Sequence, residues 1–86
     1  MVHLRYFAKI RETLGSDGEK IEFNEHCQDV KSLLELLKSR GEPWADLLET
    51  SIPVQVLVAV NRVVIKNNQT LCDGDEVAFF PPVTGG

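Results

Sequence analysis

Residues 29–41 have the sequence DVKSLLELLKSRG, the most regular periodic segment of the chain. Its apolar residues recur with helical spacing and form one stripe along a helix, at Val30, Leu33, Leu34 and Leu37. Asp29 is suited to cap the N-terminus of such a helix, and Gly41 is suited to a left-handed position at its end. The segment therefore predicts one main amphipathic helix over about residues 29–40.

Segments with the alternation of β-strands lie on both sides of this helix. Upstream, apolar residues alternate over residues 1–10, and a shorter alternation covers residues 19–24. Downstream, residues 54–60, 63–66 and 76–80 have strand character and are separated by turn residues. This order predicts a single α+β domain in which the helix packs on one face of one sheet.

The alternation also assigns faces to the first and last strands. In the first, the predicted core side is formed by Val2, Leu4, Tyr6, Ala8 and Ile10. Phe7 is the unusual apolar residue on the other side of that strand. In the last strand, Val77 and Phe79 fit the core, which leaves Ala78 and Phe80 on the opposite face.

Composition excludes several classes of protein. With 13 acidic residues against 9 Lys and Arg in 86 residues, the net charge is −4, which argues against nucleic-acid binding and against docking on an anionic membrane. The longest uninterrupted apolar run, Val56–Val60, is far too short to span a bilayer, and no signal-peptide pattern is present, so a cytoplasmic location is expected. Metal-ligand spacing is missing, and Cys27 and Cys72 are expected to be small buried hydrophobic residues.

The most unusual feature of the chain is its last six residues, PPVTGG. Two prolines restrict the backbone to extended conformations, and six extended residues reach about 20 Å. The two terminal glycines have no side chains, so the carboxylate of Gly86 can enter even a channel that is no wider than the backbone. Such a carboxylate is ionised and unreactive until a partner enzyme activates it, typically by adenylation with ATP. The tail is therefore predicted to be a substrate presented to other enzymes, and a frayed terminus is the alternative.

The string DGDEVAFFPPVTGG, residues 73–86, resembles the C-terminus of the small, sulfur-carrying subunits of molybdopterin synthase. The resemblance extends over the whole chain and includes Tyr6-Phe7-Ala8 and Val58-Ala59-Val60-Asn61. It implies a ubiquitin-like β-grasp fold, with a mixed sheet of four to five strands. The domain would comprise residues 1–80, and residues 81–86 would form an extended reactive tail.

The resemblance also implies a reaction. An ATP-dependent adenylating enzyme would activate the carboxylate of Gly86, and a sulfur donor protein would convert the acyl-adenylate into a thiocarboxylate. The tail would then enter the large subunit and transfer the sulfur on Gly86 to cyclic pyranopterin monophosphate. The residues inserted would be Pro81, Pro82, Val83, Thr84, Gly85 and Gly86. Two transfers would form the dithiolene of molybdopterin, in a heterotetramer of two large and two small subunits. The chain would have no catalytic side chains, no permanently bound cofactor and no metal.

A β-grasp sheet places the first and last strands side by side, so Phe7 and Phe80 are predicted to be neighbours on the face away from the helix. Val64 could join them there. Two phenylalanines beside the base of a reactive tail predict an interface with the large subunit. The alternative is a set of scattered surface hydrophobic residues.

Three other functions share part of these features. A protein modifier would be joined to lysines through Gly86 after the same adenylation. The thiamine-pathway sulfur carrier also ends in two glycines, although the FPPVT run before them favours the molybdenum pathway. A plain interaction module would have an inert tail.

Overall fold

The computed structural model describes residues 1–42, 44–48 and 56–81. Within these ranges the elements are β1 (Val2–Tyr6), α1 (Ala8–Leu14), β2 (Gly18–Ile21), α2 (Val30–Lys38), α3 (Trp44–Leu47), β3 (Leu57–Val60), β4 (Val63–Val64) and β5 (Glu76–Phe80). The five strands form one sheet in the order β2-β1-β5-β3-β4. β1 and β5 are parallel, and the other neighbouring pairs are antiparallel. The predicted α+β architecture, with a mixed sheet and one main helix, is confirmed.

The hydrophobic core lies between the sheet and α2. Side chains no more than 3% exposed meet there, from the strands at Val2, Leu4, Tyr6, Val60, Val77 and Phe79 and from the helix at Val30, Leu33 and Leu37. Trp44 closes one side, with its ring centroid 5.4 Å from those of both Tyr6 and Phe79. The predicted core faces of β1 and β5 are therefore correct up to Tyr6 and at Val77 and Phe79.

Among the described residues, no helix is long and apolar enough to cross a membrane.

Helix α2 begins as its sequence predicts. Asp29 is the N-cap, and its side chain accepts a hydrogen bond of 2.7 Å from the backbone N–H of Ser32. That hydrogen bond is the main reason why the pKa of Asp29 lies below its ordinary value. The helix ends at Lys38, with Ser39 as C-cap, and Gly41 has a positive φ of 92° two residues further on. Gly41 thus reverses the chain, one position later than a C′ residue would.

The prediction that the first strand continues to Ile10 is wrong. β1 ends at Tyr6, and Ala8 has a φ of +52°, which turns the chain out of the sheet and into α1. Phe7 is the N-cap of this helix, and its carbonyl accepts hydrogen bonds from the N–H groups of Ile10 and Arg11. Ile10 is still buried, but it reaches the core from a helix. The apolar alternation continues past Tyr6 in the sequence because Ile10 is buried in helix α1, as it would be in a longer strand.

The bounds of three other strands differ from those predicted. β4 is only Val63–Val64, where residues 63–66 were predicted. β2 is Gly18–Ile21, where residues 19–24 were predicted. It begins at Gly18 because a Cβ there would lie 2.4 Å from the carbonyl oxygen of Leu4, so only glycine permits this close approach of β2 to β1. β3 begins at Leu57, and residues 54 and 55 of the predicted strand lie outside the described residues.

The expectation for the cysteines holds for Cys27 and is wrong for Cys72. Cys27 is fully buried, and its thiol donates to the carbonyl oxygen of Glu22. Cys72 is exposed, because the neighbouring Leu71 takes the core position and the chain then turns at Asp73 and Gly74. Neither cysteine forms a disulfide.

A polar network joins β1, β2 and the end of α2. The hydroxyl of the buried Tyr6 donates a 2.6 Å hydrogen bond to Oε2 of Glu19. Nη1 of Arg40 donates to both carboxylate oxygens of Glu19, at 2.9 and 3.0 Å. Burial and the hydrogen bond to Glu19 raise the pKa of Tyr6 above its ordinary value, so the hydroxyl stays protonated and acts as a donor. Glu19 thus satisfies a polar group that the core encloses.

Replacing Glu19 with Ala is expected to lower the free energy of unfolding by about 1–3 kcal/mol, because the buried hydroxyl of Tyr6 loses its acceptor. Adding Tyr6→Phe to that variant should restore part of the loss, since no hydroxyl then needs a partner. Arg40→Ala, which removes a half-exposed ion pair, should cost less than about 1 kcal/mol. Urea unfolding of all four chains measures these differences. A further loss of stability on adding Tyr6→Phe would contradict the assignment.

Candidate docking site

The sheet face opposite α2 contains a concavity of about 320 Å³ that extends along β5, which we call the docking pocket. Its apolar lining consists of Phe7, Ala59, Val64, Ala78 and Phe80, and its charged lining consists of Arg5, Arg62 and Glu76. The pocket therefore has an apolar centre with charged groups beside it, as protein interfaces commonly do.

Strand register builds the floor of the pocket. Arg5 of β1 pairs with Ala78 of β5, Ala78 pairs with Ala59 of β3, and Ala59 pairs with Val64 of β4. One row of side chains thus crosses four strands on the same face. The two alanines at its centre are buried and small, so larger side chains around them enclose a depression.

Phe7, Val64 and Phe80 are the walls around this floor. Phe7 lies directly after β1, and its N–H donates a 3.1 Å hydrogen bond to the carbonyl oxygen of Phe79, which extends the β1–β5 ladder by one residue. Phe7 is 43% exposed and Val64 is 52% exposed, whereas Phe80 is half-buried. The three residues predicted to form an interface therefore line one pocket, and their role in binding stays a prediction.

The tail begins at the rim of this pocket. β5 ends at Phe80, which lines the pocket, and the next residue, Pro81, is half-buried. The remaining tail residues predicted from sequence, Pro82, Val83, Thr84, Gly85 and Gly86, lie outside the described residues. The geometry therefore fixes the point from which the tail departs.

Charges around the pocket were missed by the sequence analysis. Nη1 of Arg5 lies 3.6 Å from Oε1 of Glu76, in an ion pair at the edge of the pocket. Arg62 lies in the two-residue turn between β3 and β4. No sequence motif indicates these residues, because register and turn geometry bring them together. In the part of the chain that the structure describes, no group of three or more His, Cys, Asp or Glu is arranged to hold a metal ion.

A larger apolar groove, about 740 Å³, lies between α2 and the β3–β4 hairpin. Its lining includes Val30, Leu34 and Ile65, and Val64 is the one predicted interface residue that borders it. It is not the site beside Phe80 and Pro81, so its size does not make it the better candidate for presenting the tail.

The strand order β2-β1-β5-β3-β4 and the single main helix on one face define a ubiquitin-like β-grasp domain. Residues 4–86 match the model of the ThiS family. The chain belongs to this family.

Relatives narrow the assignment. The chain is 37% identical over 86 residues, and over 100% of both chains, to the molybdopterin synthase sulfur carrier subunit of Escherichia coli. A structure of a putative molybdopterin converting factor subunit 1 from Pyrococcus furiosus is 35% identical with a TM-score of 0.77, over 95% of this chain and 97% of that one. These similarities confirm the predicted fold and the predicted sulfur-carrier function of the molybdopterin synthase type.

A complex of subunits 1 and 2 of the molybdopterin-converting factor from Helicobacter pylori contains a further similar chain. It is 28% identical with a TM-score of 0.65, and the match covers 99% of this chain and 97% of that one. In that structure a relative of this chain is bound to a second subunit.

Proposed function

We propose that this chain is the small subunit of a molybdopterin synthase and carries sulfur as a thiocarboxylate on Gly86. An adenylating enzyme transfers AMP from ATP to the carboxylate, which makes the carbonyl carbon electrophilic. A sulfur donor protein then supplies the sulfur that displaces AMP. The large subunit accepts the tail, and sulfur passes to cyclic pyranopterin monophosphate. This chain contributes the docking surface and the reactive terminus, and its partners contribute the catalytic groups.

The observation that carries this proposal is the position of Phe80. It lines the docking pocket and immediately precedes Pro81, the first residue of the tail. A partner seated on Phe7, Val64 and Phe80 therefore lies at the point where the tail starts. The extended reach of six residues, about 20 Å, then sets how deep in the partner the reacting carbon lies.

The composition of the tail suits insertion into a narrow channel. Pro81 and Pro82 restrict the backbone before binding, which lowers the entropic cost of ordering it. Gly85 and Gly86 have no side chains to block the passage. A thiocarboxylate is hydrolysed by water, so a channel that excludes water both protects and positions it. Val83 and Thr84 lie between these two pairs and are the tail side chains available for contact with the channel wall.

The large subunit is proposed as the partner on the docking pocket. The Helicobacter pylori complex supports that assignment, because it contains a chain that matches 99% of this chain. The assembly is proposed to be a heterotetramer with two large subunits and one small subunit at each end. The apolar walls of the pocket provide the aromatic anchors that stabilise such interfaces.

Intact-mass spectrometry tests the proposal. The chain is coexpressed with its adenylating enzyme and sulfur donor, and a chain lacking Gly86 serves as the control. The full chain should gain the mass difference between sulfur and oxygen, and the control should not. Larger covalent adducts on cellular proteins, without the thiocarboxylate, would identify a protein modifier and overturn the proposal. Delivery of sulfur to a thiazole precursor alone would identify a thiamine-pathway carrier.

Adding one alanine after Gly86 is expected to reduce sulfur transfer at least ~100-fold, because the reacting carbon moves by about 3.3 Å relative to Phe80. Single-turnover transfer with the isolated large subunit measures the effect. The chain without the added alanine, charged with sulfur and assayed in the same way, serves as the control. Normal turnover by the extended chain would show that the distance from Phe80 does not set the register.

A further inference from the structure

The rim of the docking pocket is more positive than the rest of the molecule. Arg5 and Arg62 line it with one acidic residue, Glu76, whereas the whole chain has a net charge of −4. Arg5 is paired with that carboxylate at 3.6 Å, and its side chain is still 55% exposed. Arg62 is exposed and has no hydrogen bond or ion pair within the described residues. Glu76 therefore balances the charge of Arg5, and the positive charge of Arg62 is left unbalanced at the pocket.

The backbone at Arg62 is unusual for an arginine. Asn61 and Arg62 have φ values of +49° and +72°, so both central residues of the β3–β4 turn lie in the left-handed region. A two-residue turn of this kind favours glycine at its second position, because a Cβ is strained there. The chain nevertheless places a long cationic side chain at this position.

The turn does not need the side chain of Arg62 for its structure. Asn61 holds it: its Nδ2 donates to Oδ1 of Asp75 at 3.1 Å, and its Oδ1 accepts from the N–H of Glu76 at 3.0 Å. The N–H of Asn61 also donates to the carbonyl oxygen of Glu76 at 2.8 Å. These bonds fix the hairpin to the start of β5 and so fix where Arg62 stands relative to the pocket. Backbone strain that serves no internal contact points to a function.

We propose that Arg62, supported by Arg5, binds carboxylates that surround the apolar contact on the partner, and that Arg62 determines which large subunit the carrier accepts. This inference rests on the proposed function, since it assigns the large subunit to the pocket. Guanidinium groups bind carboxylates with two parallel hydrogen bonds, which provides orientation as well as attraction. The carrier is acidic overall, so a local cationic rim also directs an acidic partner surface to this face.

Arg62→Gly is the decisive variant because it should weaken binding to the large subunit without lowering the stability of the domain. Glycine relieves the strain in the turn, so the melting temperature should stay the same or rise. Affinity for the large subunit of the same organism should fall about tenfold, and its dependence on salt should weaken. Lys66→Ala removes the same charge outside the pocket and should leave affinity unchanged. Calorimetric titration at low and high salt and thermal melts on the full chain supply both readouts.

The outcomes separate this inference from the proposed function. Unchanged affinity of Arg62→Gly, or a parallel loss of melting temperature and affinity, overturns the role of Arg62. If Phe80→Ala still weakens binding in that case, the docking pocket and the proposed function stand. If Phe80→Ala and Arg62→Gly both bind normally, the large subunit does not use this pocket. Arg62→Lys, which retains the charge without the paired donors, should bind with intermediate affinity.

Discussion

Removal of Gly85 and Gly86 is expected to abolish sulfur transfer and to change the free energy of unfolding by no more than about 0.5 kcal/mol. The loss of transfer follows because the shortened chain ends at Thr84, and the reacting carbon then lies about 7 Å nearer to Phe80. Stability should be preserved because glycine has no side chain that could contribute to the core. The core that the structure describes is complete by Phe79, which is fully buried. Activity and stability are thus assigned to different parts of one short chain.

Two measurements test this separation. Molybdopterin formation is followed with the large subunit, the adenylating enzyme and the sulfur donor present, and urea unfolding is followed on the chain alone. The unmodified chain, taken through both measurements, serves as the control. Formation of molybdopterin by the truncated chain at a normal rate would show that Gly86 does not carry the sulfur.

Much of the fold could be predicted because alternation and helical spacing are local properties of the sequence. The stripe over residues 30–37 gave the main helix, and Val77 and Phe79 gave the core face of β5. The end of β1 could not be predicted in this way. The chain leaves the sheet at Ala8 with a φ of +52°, yet Ile10 is buried as it would be in a longer strand. Periodicity reports burial, and here burial did not distinguish a strand from a short helix.

The docking pocket was only partly predictable for a related reason. Phe7 and Phe80 could be placed together because the family's fold sets their strands side by side, and the structure shows this pairing. The position of Arg62 at the pocket depends on the β3–β4 turn, and Asn61 attaches that turn to β5. Such a position joins residues distant in sequence, so no local pattern indicates it. The turn at Asn61-Arg62 was predictable from the sequence, but the direction of its side chains was not.

Phe79→Ala is expected to destabilise the domain by about 3–5 kcal/mol, because a fully buried ring is removed and a cavity remains. Phe79 is 0% exposed, and its ring centroid lies 5.9 Å from that of Tyr6 and 5.4 Å from that of Trp44. Phe79→Leu conserves most of the volume and should cost less, so it keeps the effect measurable if the alanine variant fails to fold. Thermal melts and urea unfolding give the values.

The neighbouring Phe80→Ala should behave in the opposite way. Its ring lies on the other face of β5, half-buried in the docking pocket, so its loss should leave the domain folded. Affinity for the large subunit should fall at least tenfold, about 1.4 kcal/mol, because an aromatic anchor at the centre of the interface is removed. Calorimetric titration of each folded variant completes the comparison. Normal binding by Phe80→Ala, or a loss of stability equal to that of Phe79→Ala, would show that the face which binds the partner has been assigned wrongly.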